Sequence, residues 1–182
     1  DYMVAEANSY FNPWKIEFCH TIEFITTSLL TISDTGLYPK HVWDQLNVII
    51  HNWPQLGLSG NPIKIKSTVV DSGNYMAGYV LAHELGHDLW VLHNFSGNTL
   101  PCWYPCRDRI DYTPAQHDTT GDYCSDTPPT SQNGICAPPS GSDTCSAGNP
   151  PWPDTAYNNI MGYSYCINSV FTPQQAGRMR CA

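Results

Sequence analysis

The sequence predicts one α+β domain, and three features of the chain support this fold class. Short apolar or alternating segments in the first half are typical of strands. A longer segment near the middle is typical of a partly buried helix. The second half is rich in proline, glycine and cysteine, which favours irregular structure, and it ends in another helical segment. We therefore expect a twisted mixed β-sheet and the middle helix in an upper subdomain, about residues 1–92, above an irregular lower subdomain, about residues 93–182.

Three strands are expected in the first half of the chain. Alternation of apolar and polar residues predicts a strand over residues 14–18. The apolar run over residues 46–50 predicts a central strand, and residues 63–70 predict a strand that becomes more apolar towards its end. Between the last two strands, proline and glycine favour a loop over residues 52–61.

Two helices complete the predicted elements. Asn74 is a candidate N-cap for a helix that extends from about residue 75 to residue 89. The last helix is expected over residues 172–179, with a proline as its first residue. Thr172 would be the N-cap of this helix, and Gln175 would complete a capping box with it.

The composition argues against some classes of function. Charged residues make up 13% of the chain and the formal net charge is −8, so a nucleic-acid surface with clustered lysine and arginine is not expected. No apolar run approaches the roughly 20 residues that a membrane-spanning helix needs. The expected partner is therefore neither a nucleic acid nor the interior of a membrane.

Eight cysteines predict a disulfide-linked protein of an oxidising compartment. Six of them lie between residues 102 and 166, where little apolar surface is available and cross-links would stabilise the fold. A cysteine-ligated zinc site is the alternative, since Cys102 and Cys106 have a suitable spacing. The pairing stays open, because eight cysteines allow about 105 connectivities.

The most informative segment contains His83, Glu84 and His87 within the predicted middle helix. Two histidines four residues apart project from nearly the same face of a helix, so their imidazoles can bind one metal ion. A glutamate directly after the first histidine lies beside such an ion and can take a proton from a water molecule there. This arrangement is typical of zinc proteases.

His93 is a candidate third ligand only if the chain leaves the helix soon after the second histidine. On a continued helix His93 would point about 80° away from His83 and lie about 15 Å further along the axis. The metzincin signature has glycine at this turn, and here the position is Trp90. A left-handed conformation costs a non-glycine residue about 1–2 kcal/mol, so either Trp90 bears that strain or the turn takes another path. If His93 stays free, an acidic residue such as Asp108 or Asp111 would supply the third ligand.

Four segments together resemble the pappalysin-type metzincins, which are secreted zinc endopeptidases. They follow the order found in that family: residues 83–93, Gly121-Asp-Tyr-Cys-Ser-Asp-Thr-Pro128, Asn159-Ile-Met-Gly-Tyr163 and Cys166-Ile-Asn-Ser-Val-Phe-Thr-Pro-Gln-Gln175. The matches extend over residues 83–179, whereas the first 70 residues match only in their general texture. The resemblance implies a metzincin-like zincin fold with one catalytic Zn²⁺ and a polypeptide substrate in the cleft between the two subdomains.

The resemblance also implies a role for each residue of these segments. Glu84 would be the general base and later the proton donor. Met161 would lie beneath the metal as an apolar floor without ligating it. Tyr163 would donate a hydrogen bond that stabilises the tetrahedral intermediate. The implied zinc ligands are His83, His87 and His93.

Two further features of the sequence suggest ligands or modification. Asp118, Asp122 and Asp126 recur every fourth residue in a loop-like stretch and are candidate Ca²⁺ ligands. The alternative is a solvated acidic turn whose side chains bond nearby backbone amides. Asn94 begins a glycosylation sequon, and a glycan there would crowd the cleft beside His93.

The leading hypothesis is a secreted zinc endopeptidase, and the alternative is an extracellular structural or binding protein on the same scaffold. Trp90 at the position of the usual glycine motivates the alternative. So do the low charge content and the aromatic residues, 11 tyrosines and 6 tryptophans, which could form contact surfaces. The alternative predicts intact folding, little proteolysis and self-association of the chain.

Overall fold

A computed structural model describes residues 2–21, 46–51, 56–59, 63–71, 75–95, 122–127, 130–142, 148, 151–152 and 157–182. The helices in these ranges are α1 (Tyr2–Phe11), α2 (Ser67–Asp71), α3 (Met76–Asp88) and α4 (Pro173–Met179). The strands are β1 (Val48–His51), β2 (Gly57–Leu58) and β3 (Ile63–Lys66). Helices and a small sheet in one chain agree with the predicted α+β class.

The described strands form a mixed sheet in the order β1, β3, β2. β1 is parallel to β3, with Val48 opposite Ile63, and β2 is antiparallel to β3, with Gly57 opposite Ile65. Ile63 and Ile65 are fully buried, while the two lysines that alternate with them are half-buried. This alternation is expected of a strand with one face on the core.

The strand predicted over residues 14–18 is wrong. A 3-10 helix spans Asn12–Trp14 and contains a proline in its first turn. Lys15 follows with a left-handed φ of 57°, and its N–H donates to the Asn12 carbonyl at 3.0 Å. Pro13 fixes the backbone for a tight turn, so the chain bends where the alternation of residue types indicated an extended segment.

The other two predicted strands are present near the expected positions, but their observed bounds differ from the predicted ones. The strand predicted over residues 63–70 ends at Lys66, and the following β-branched residues form α2, in which Val69 is buried. Their β propensity is overridden by packing, as is common for short segments. The run at residues 46–50 becomes β1, which begins two residues and ends one residue later than predicted. β1 lies at the edge of the described sheet and β3 is its middle strand, so the central position predicted for the run is wrong. The predicted loop over residues 52–61 contains β2.

One buried cluster joins early and late segments of the chain around α3. α1 packs along α3, and the rings of Tyr10 and Tyr79 meet edge to face with centroids 6.3 Å apart. Phe11, at the end of α1, packs on Phe171, which precedes α4, and their ring centroids are 4.9 Å apart. Residues 77–86 of α3 are all buried. None of the helices in the described ranges is long and apolar enough to cross a membrane.

Both predicted helices are confirmed. α3, predicted over about residues 75–89, is observed over Met76–Asp88, and its candidate N-cap Asn74 lies outside the described residues. α4 has the predicted capping box: Thr172 Oγ1 accepts the Gln175 N–H at 3.3 Å, and Gln175 Oε1 accepts the Thr172 N–H at 3.0 Å. The start of α4 is therefore fixed by its own sequence.

In the part of the chain that the structure describes, one disulfide joins Cys136 to Cys166. It links the loop region to the segment before α4, as expected of a cross-linked lower half. The other described cysteines, Cys19, Cys124 and Cys181, carry free thiols, so among the described residues the predicted cross-linking is confirmed for Cys136 and Cys166. The alternative zinc site at residues 102 and 106 lies outside the described residues.

Candidate metal centre

Three imidazoles meet at the carboxyl end of α3, and they are the three predicted ligands. The Nε2 atom of His83 lies 3.1 Å from that of His87 and 3.0 Å from that of His93. The Nε2 atoms of His87 and His93 are 3.0 Å apart. The first two residues share a face of α3, as their spacing predicted, and His93 reaches them from the segment that follows the helix.

Backbone carbonyls determine the tautomer of two of these rings. The His83 Nδ1 atom lies 2.8 Å from the Ile160 carbonyl oxygen, and the His87 Nδ1 atom lies 2.8 Å from the Val91 carbonyl oxygen. A carbonyl oxygen only accepts hydrogen bonds, so each Nδ1 must carry the hydrogen that it donates. Both Nε2 atoms are then unprotonated, and their lone pairs point to the place where the three rings meet.

Burial keeps the three imidazoles neutral. Desolvation, reinforced by the neighbouring imidazoles, lowers the pKa of His83 to about 3 and the pKa of His93 to about 4. Desolvation also lowers the pKa of His87. Neutral imidazole is the form that ligates metals, so the cluster does not have to lose protons before it binds a cation near pH 7.

The arrangement fits a zinc ion better than a hard cation. Ligands about 2.0–2.1 Å from a tetrahedral zinc are about 3.3–3.4 Å apart, and the three nitrogens here are 3.0–3.1 Å apart. Imidazole nitrogens suit zinc and other transition metals, whereas calcium and magnesium prefer oxygen. The Nε2 lone pairs of His83 and His87 face the same point, and a cation there would offset their repulsion.

The turn that returns His93 to the cluster passes through Trp90, whose φ of 66° is left-handed. The Trp90 N–H donates to the His87 carbonyl at 2.9 Å, and the Val91 N–H donates to the Gly86 carbonyl at 2.9 Å. These two bonds define a Schellman motif, in which the left-handed residue is usually glycine. Of the two possibilities raised by the sequence, the first is correct: Trp90 bears the strain, and the helix ends as it would with glycine.

Replacing Trp90 with glycine is expected to raise the free energy of unfolding by about 0.5–1 kcal/mol. The strain of about 1–2 kcal/mol disappears, and the greater freedom of glycine in the unfolded chain offsets part of the gain. Little packing is lost, because Trp90 is 71% exposed. Urea denaturation measures the difference. The control is Leu92→Gly, at a partly exposed neighbour outside the left-handed region, and it should lower stability. A less stable Trp90→Gly protein would contradict the strain.

The Glu84 carboxylate lies under strand β2, a contact that no sequence pattern predicted. The Ser59 backbone N–H donates a hydrogen bond to it. A Cβ atom at Gly57 would collide with Glu84 Oε1 and lie 2.7 Å from Val80 Cγ1, so only glycine lets β2 approach α3 this closely. Burial, with a smaller contribution from Asp88, raises the pKa of Glu84 to about 7.

Met161 is fully buried against α3. A Cβ atom at Gly86 would lie 2.6 Å from Met161 Sδ and 3.2 Å from Phe171 Cε1, so the glycine between the first two histidines lets the methionine reach the helix. The Asn159 side chain shapes the turn, because its Oδ1 accepts the Met161 N–H at 2.8 Å. The role predicted for Met161, an apolar floor beneath the metal, stays a prediction.

Tyr163 lies against the imidazole cluster. Its ring centroid is 5.5 Å from that of His83 and 4.8 Å from that of His93. Phe95 stacks on His93 with centroids 4.7 Å apart and also contacts the Tyr163 ring. Burial raises the pKa of Tyr163, so the hydroxyl keeps its proton, and with it the ability to donate, at neutral pH.

A buried hydrogen-bond network supports the turn that begins at Asn159. Asp122 is 1% exposed and accepts hydrogen bonds from the Cys124 N–H at 3.1 Å, from Thr127 Oγ1, and from Gln175 Nε2 at 2.7 Å. Gln175 Oε1 in turn accepts from Asn159 Nδ2 at 2.9 Å. The polar residues of three family-like segments thus hold one another in place, and local sequence patterns could not predict these contacts.

The candidate calcium ligands have protein partners where the structure describes them. Both oxygens of Asp122 accept the bonds given above, and burial raises the pKa of this carboxyl to about 6, so it is ionised at neutral pH. Asp126 accepts from Thr172 Oγ1 at 2.7 Å and from the Gln174 N–H at 2.9 Å, and so caps α4. Asp118 lies outside the described residues. These contacts give both described carboxylates a structural role without calcium.

Asn94, the first residue of the sequon, is only 8% exposed. Its side chain lies against the backbone of Gly162, and no donor among the described residues reaches its Oδ1. It borders a small pocket together with Phe95, Tyr163 and Ser164. An amide this deeply buried cannot carry a glycan in the folded protein, so we expect position 94 to be unmodified.

Comparison with known proteins agrees with the geometry. Residues 46–182 match the model of the peptidase family described as pregnancy-associated plasma protein-A. Pappalysin-1 of Mus musculus is 38% identical over 108 residues, which are 57% of this chain and 6% of that protein. Pappalysin-1 of Homo sapiens gives the same identity and the same shares. The chain spans only a small part of these relatives. The family model nevertheless covers most of the chain, which therefore belongs to the pappalysin family of metallopeptidases, as its four segments predicted.

Proposed function

We propose that this chain is a zinc-dependent endopeptidase domain that hydrolyses peptide bonds in polypeptide substrates. The observation that carries the proposal is the convergence of three neutral imidazoles, two of them fixed by backbone carbonyls with their Nε2 lone pairs directed at a common point. The residues that would hold the zinc ion are His83, His87 and His93. Membership of a metallopeptidase family supports the same conclusion.

The proposed chemistry assigns distinct tasks to the metal and to the side chains. Zinc, when bound, supplies Lewis-acid chemistry that polarises a carbonyl group and makes a water molecule more acidic. Glu84 accepts a proton from the attacking water at its carboxylate and later delivers that proton to the leaving amine. The Ser59 N–H keeps the carboxylate in one orientation for both transfers. Tyr163 donates a hydrogen bond to the substrate carbonyl oxygen as negative charge develops there.

We also propose that the domain functions outside the cell. The disulfide between Cys136 and Cys166 supports this, because such bonds persist in oxidising compartments. Polypeptides are the proposed substrates, which follows from the family. The alternative hypothesis is a non-catalytic binding protein, and it rests mainly on Trp90 at the position where the family has glycine. The Schellman turn forms with tryptophan in place, and this supports the enzyme over the alternative.

Metal removal tests the proposal directly. The purified chain should contain one zinc ion per molecule and should cleave an unfolded protein such as reduced and alkylated casein. Phenanthroline should abolish cleavage, and added zinc should restore it, because the imidazoles supply the ligands that hold the metal. A chain that folds and takes up zinc but never cleaves would support the binding-protein hypothesis instead. Cleavage that survives complete removal of the metal would refute the proposed chemistry.

A further inference from the structure

We propose that Tyr79 is a positioning residue of the metal centre: its hydroxyl holds the Ile160 carbonyl in the place from which that carbonyl orients the His83 imidazole. This inference rests on the proposed function, since it concerns how the chain prepares one of the proposed ligands. Tyr79 lies one helical turn before His83 on α3, so both side chains reach the same segment of the chain.

The contacts form a short relay between the helix and the turn that contains Met161. The Tyr79 hydroxyl oxygen is 3.1 Å from the Ile160 carbonyl oxygen and 3.0 Å from the Gly162 carbonyl oxygen. The His83 Nδ1 atom is 2.8 Å from the same Ile160 oxygen. A carbonyl oxygen has two lone pairs, so it can accept from the hydroxyl and from the imidazole together.

Burial makes these contacts specific to Tyr79. The residue is 0% exposed, so its hydroxyl has no access to bulk water. The Tyr165 backbone N–H also donates to the Tyr79 oxygen, whereas the Ser169 hydroxyl donates its hydrogen to the Cys166 carbonyl at 2.8 Å. The hydroxyl hydrogen is therefore left for the two carbonyls of the turn. With phenylalanine at position 79, the Ile160 carbonyl would lose the partner that limits its rotation.

Groups that orient a metal ligand without touching the metal affect metal affinity as well as stability. Removing a partner that orients a metal-ligating histidine typically lowers metal affinity 10–100-fold. Tyr79 acts through the Ile160 carbonyl, so we expect the lower end of this range. Tyr79→Phe should therefore raise the zinc dissociation constant about tenfold. The loss of hydrogen bonds should also lower the stability of the fold, but stability alone would not distinguish a positioning role from a structural one.

Tyr75 provides the matched control. Its hydroxyl donates to the Tyr165 carbonyl at 3.0 Å, so it also joins the start of α3 to the segment after Met161. The Tyr165 carbonyl has no ligand imidazole bonded to it in the structure. Tyr75→Phe removes the same chemical group and the same kind of bond. We expect it to leave the zinc dissociation constant within about twofold of the wild-type value, a change too small to indicate ligand disorder.

The experiment compares zinc binding by the wild type, Tyr79→Phe and Tyr75→Phe in competition with a chromophoric chelator. Urea denaturation of each protein reports its stability separately. Weaker zinc binding by Tyr79→Phe alone is the expected result. Equal zinc affinities for the two variants would overturn the inference, whatever their stabilities, while leaving the proposed function intact. Failure of the wild type to bind zinc would overturn the proposed function and this inference with it.

A second measurement covers the case in which zinc-free Tyr79→Phe is too unstable to isolate. The rate at which zinc leaves each loaded protein, followed by transfer to the chelator, gives the same comparison. Faster release from Tyr79→Phe than from Tyr75→Phe is expected. Equal release rates, or a Tyr79→Phe protein that does not fold even with zinc, would show that the hydroxyl serves the fold and not the position of His83.

Discussion

Replacing Glu84 with glutamine is expected to lower the rate of peptide-bond cleavage by about 10²–10⁴-fold while zinc remains bound. Glutamine has nearly the same shape and keeps an oxygen that can accept the Ser59 N–H, so β2 and α3 should pack unchanged. It cannot accept a proton from water. The loss should therefore appear in the chemical step and not in metal binding, and casein cleavage together with zinc content measures both.

Glu17→Gln is the control for this change, because Glu17 is exposed and lies outside the cluster. It should cleave as fast as the wild type. A Glu84→Gln protein with near-wild-type activity would show that another group is the base. If that protein loses its zinc, the carboxylate contributes to metal binding, and its assignment as a base alone would be wrong.

Replacing His93 with alanine is expected to lower zinc affinity by more than the 10–100-fold associated with the loss of an outer-shell partner. Its Nε2 atom forms one corner of a triangle whose other corners are only 3.0 Å away, so the substitution removes one of the three proposed ligands. Cleavage should disappear with the metal. Zinc content after dialysis, and competition with a chelator, give the affinity.

This variant also decides between His93 and an acidic third ligand. Asp108 and Asp111, the acidic candidates, lie outside the described residues. If one of them were the ligand, His93→Ala would bind zinc as tightly as the wild type. His20→Ala, at an exposed histidine, is the control and should bind zinc normally.

Local sequence features predicted much of the site. The four-residue spacing of His83 and His87 is enough to place both rings on one face of a helix. The capping box of Thr172 and Gln175 was likewise a local pattern, and it formed as expected. Predictions of this kind succeed because the interacting residues are at most four positions apart in the sequence.

Contacts between distant segments were beyond the reach of the sequence. Nothing near Tyr79 indicates that its hydroxyl meets carbonyls more than 80 residues away, and helical periodicity assigns it simply to the core. Gly57 was predicted to be a loop residue. Its close approach to Glu84 could not be predicted, because only the fold brings the two residues together. The conformation of Trp90 was open for the same reason: the closing hydrogen bonds stabilise a φ that propensity disfavours.

A crystal structure with anomalous data collected on both sides of the zinc absorption edge tests the central claim most directly. We predict one zinc-specific peak about 2.0–2.1 Å from the Nε2 atoms of His83, His87 and His93. A zinc ion held by only two of these imidazoles, or a peak at another site while the three rings keep their positions, would contradict it.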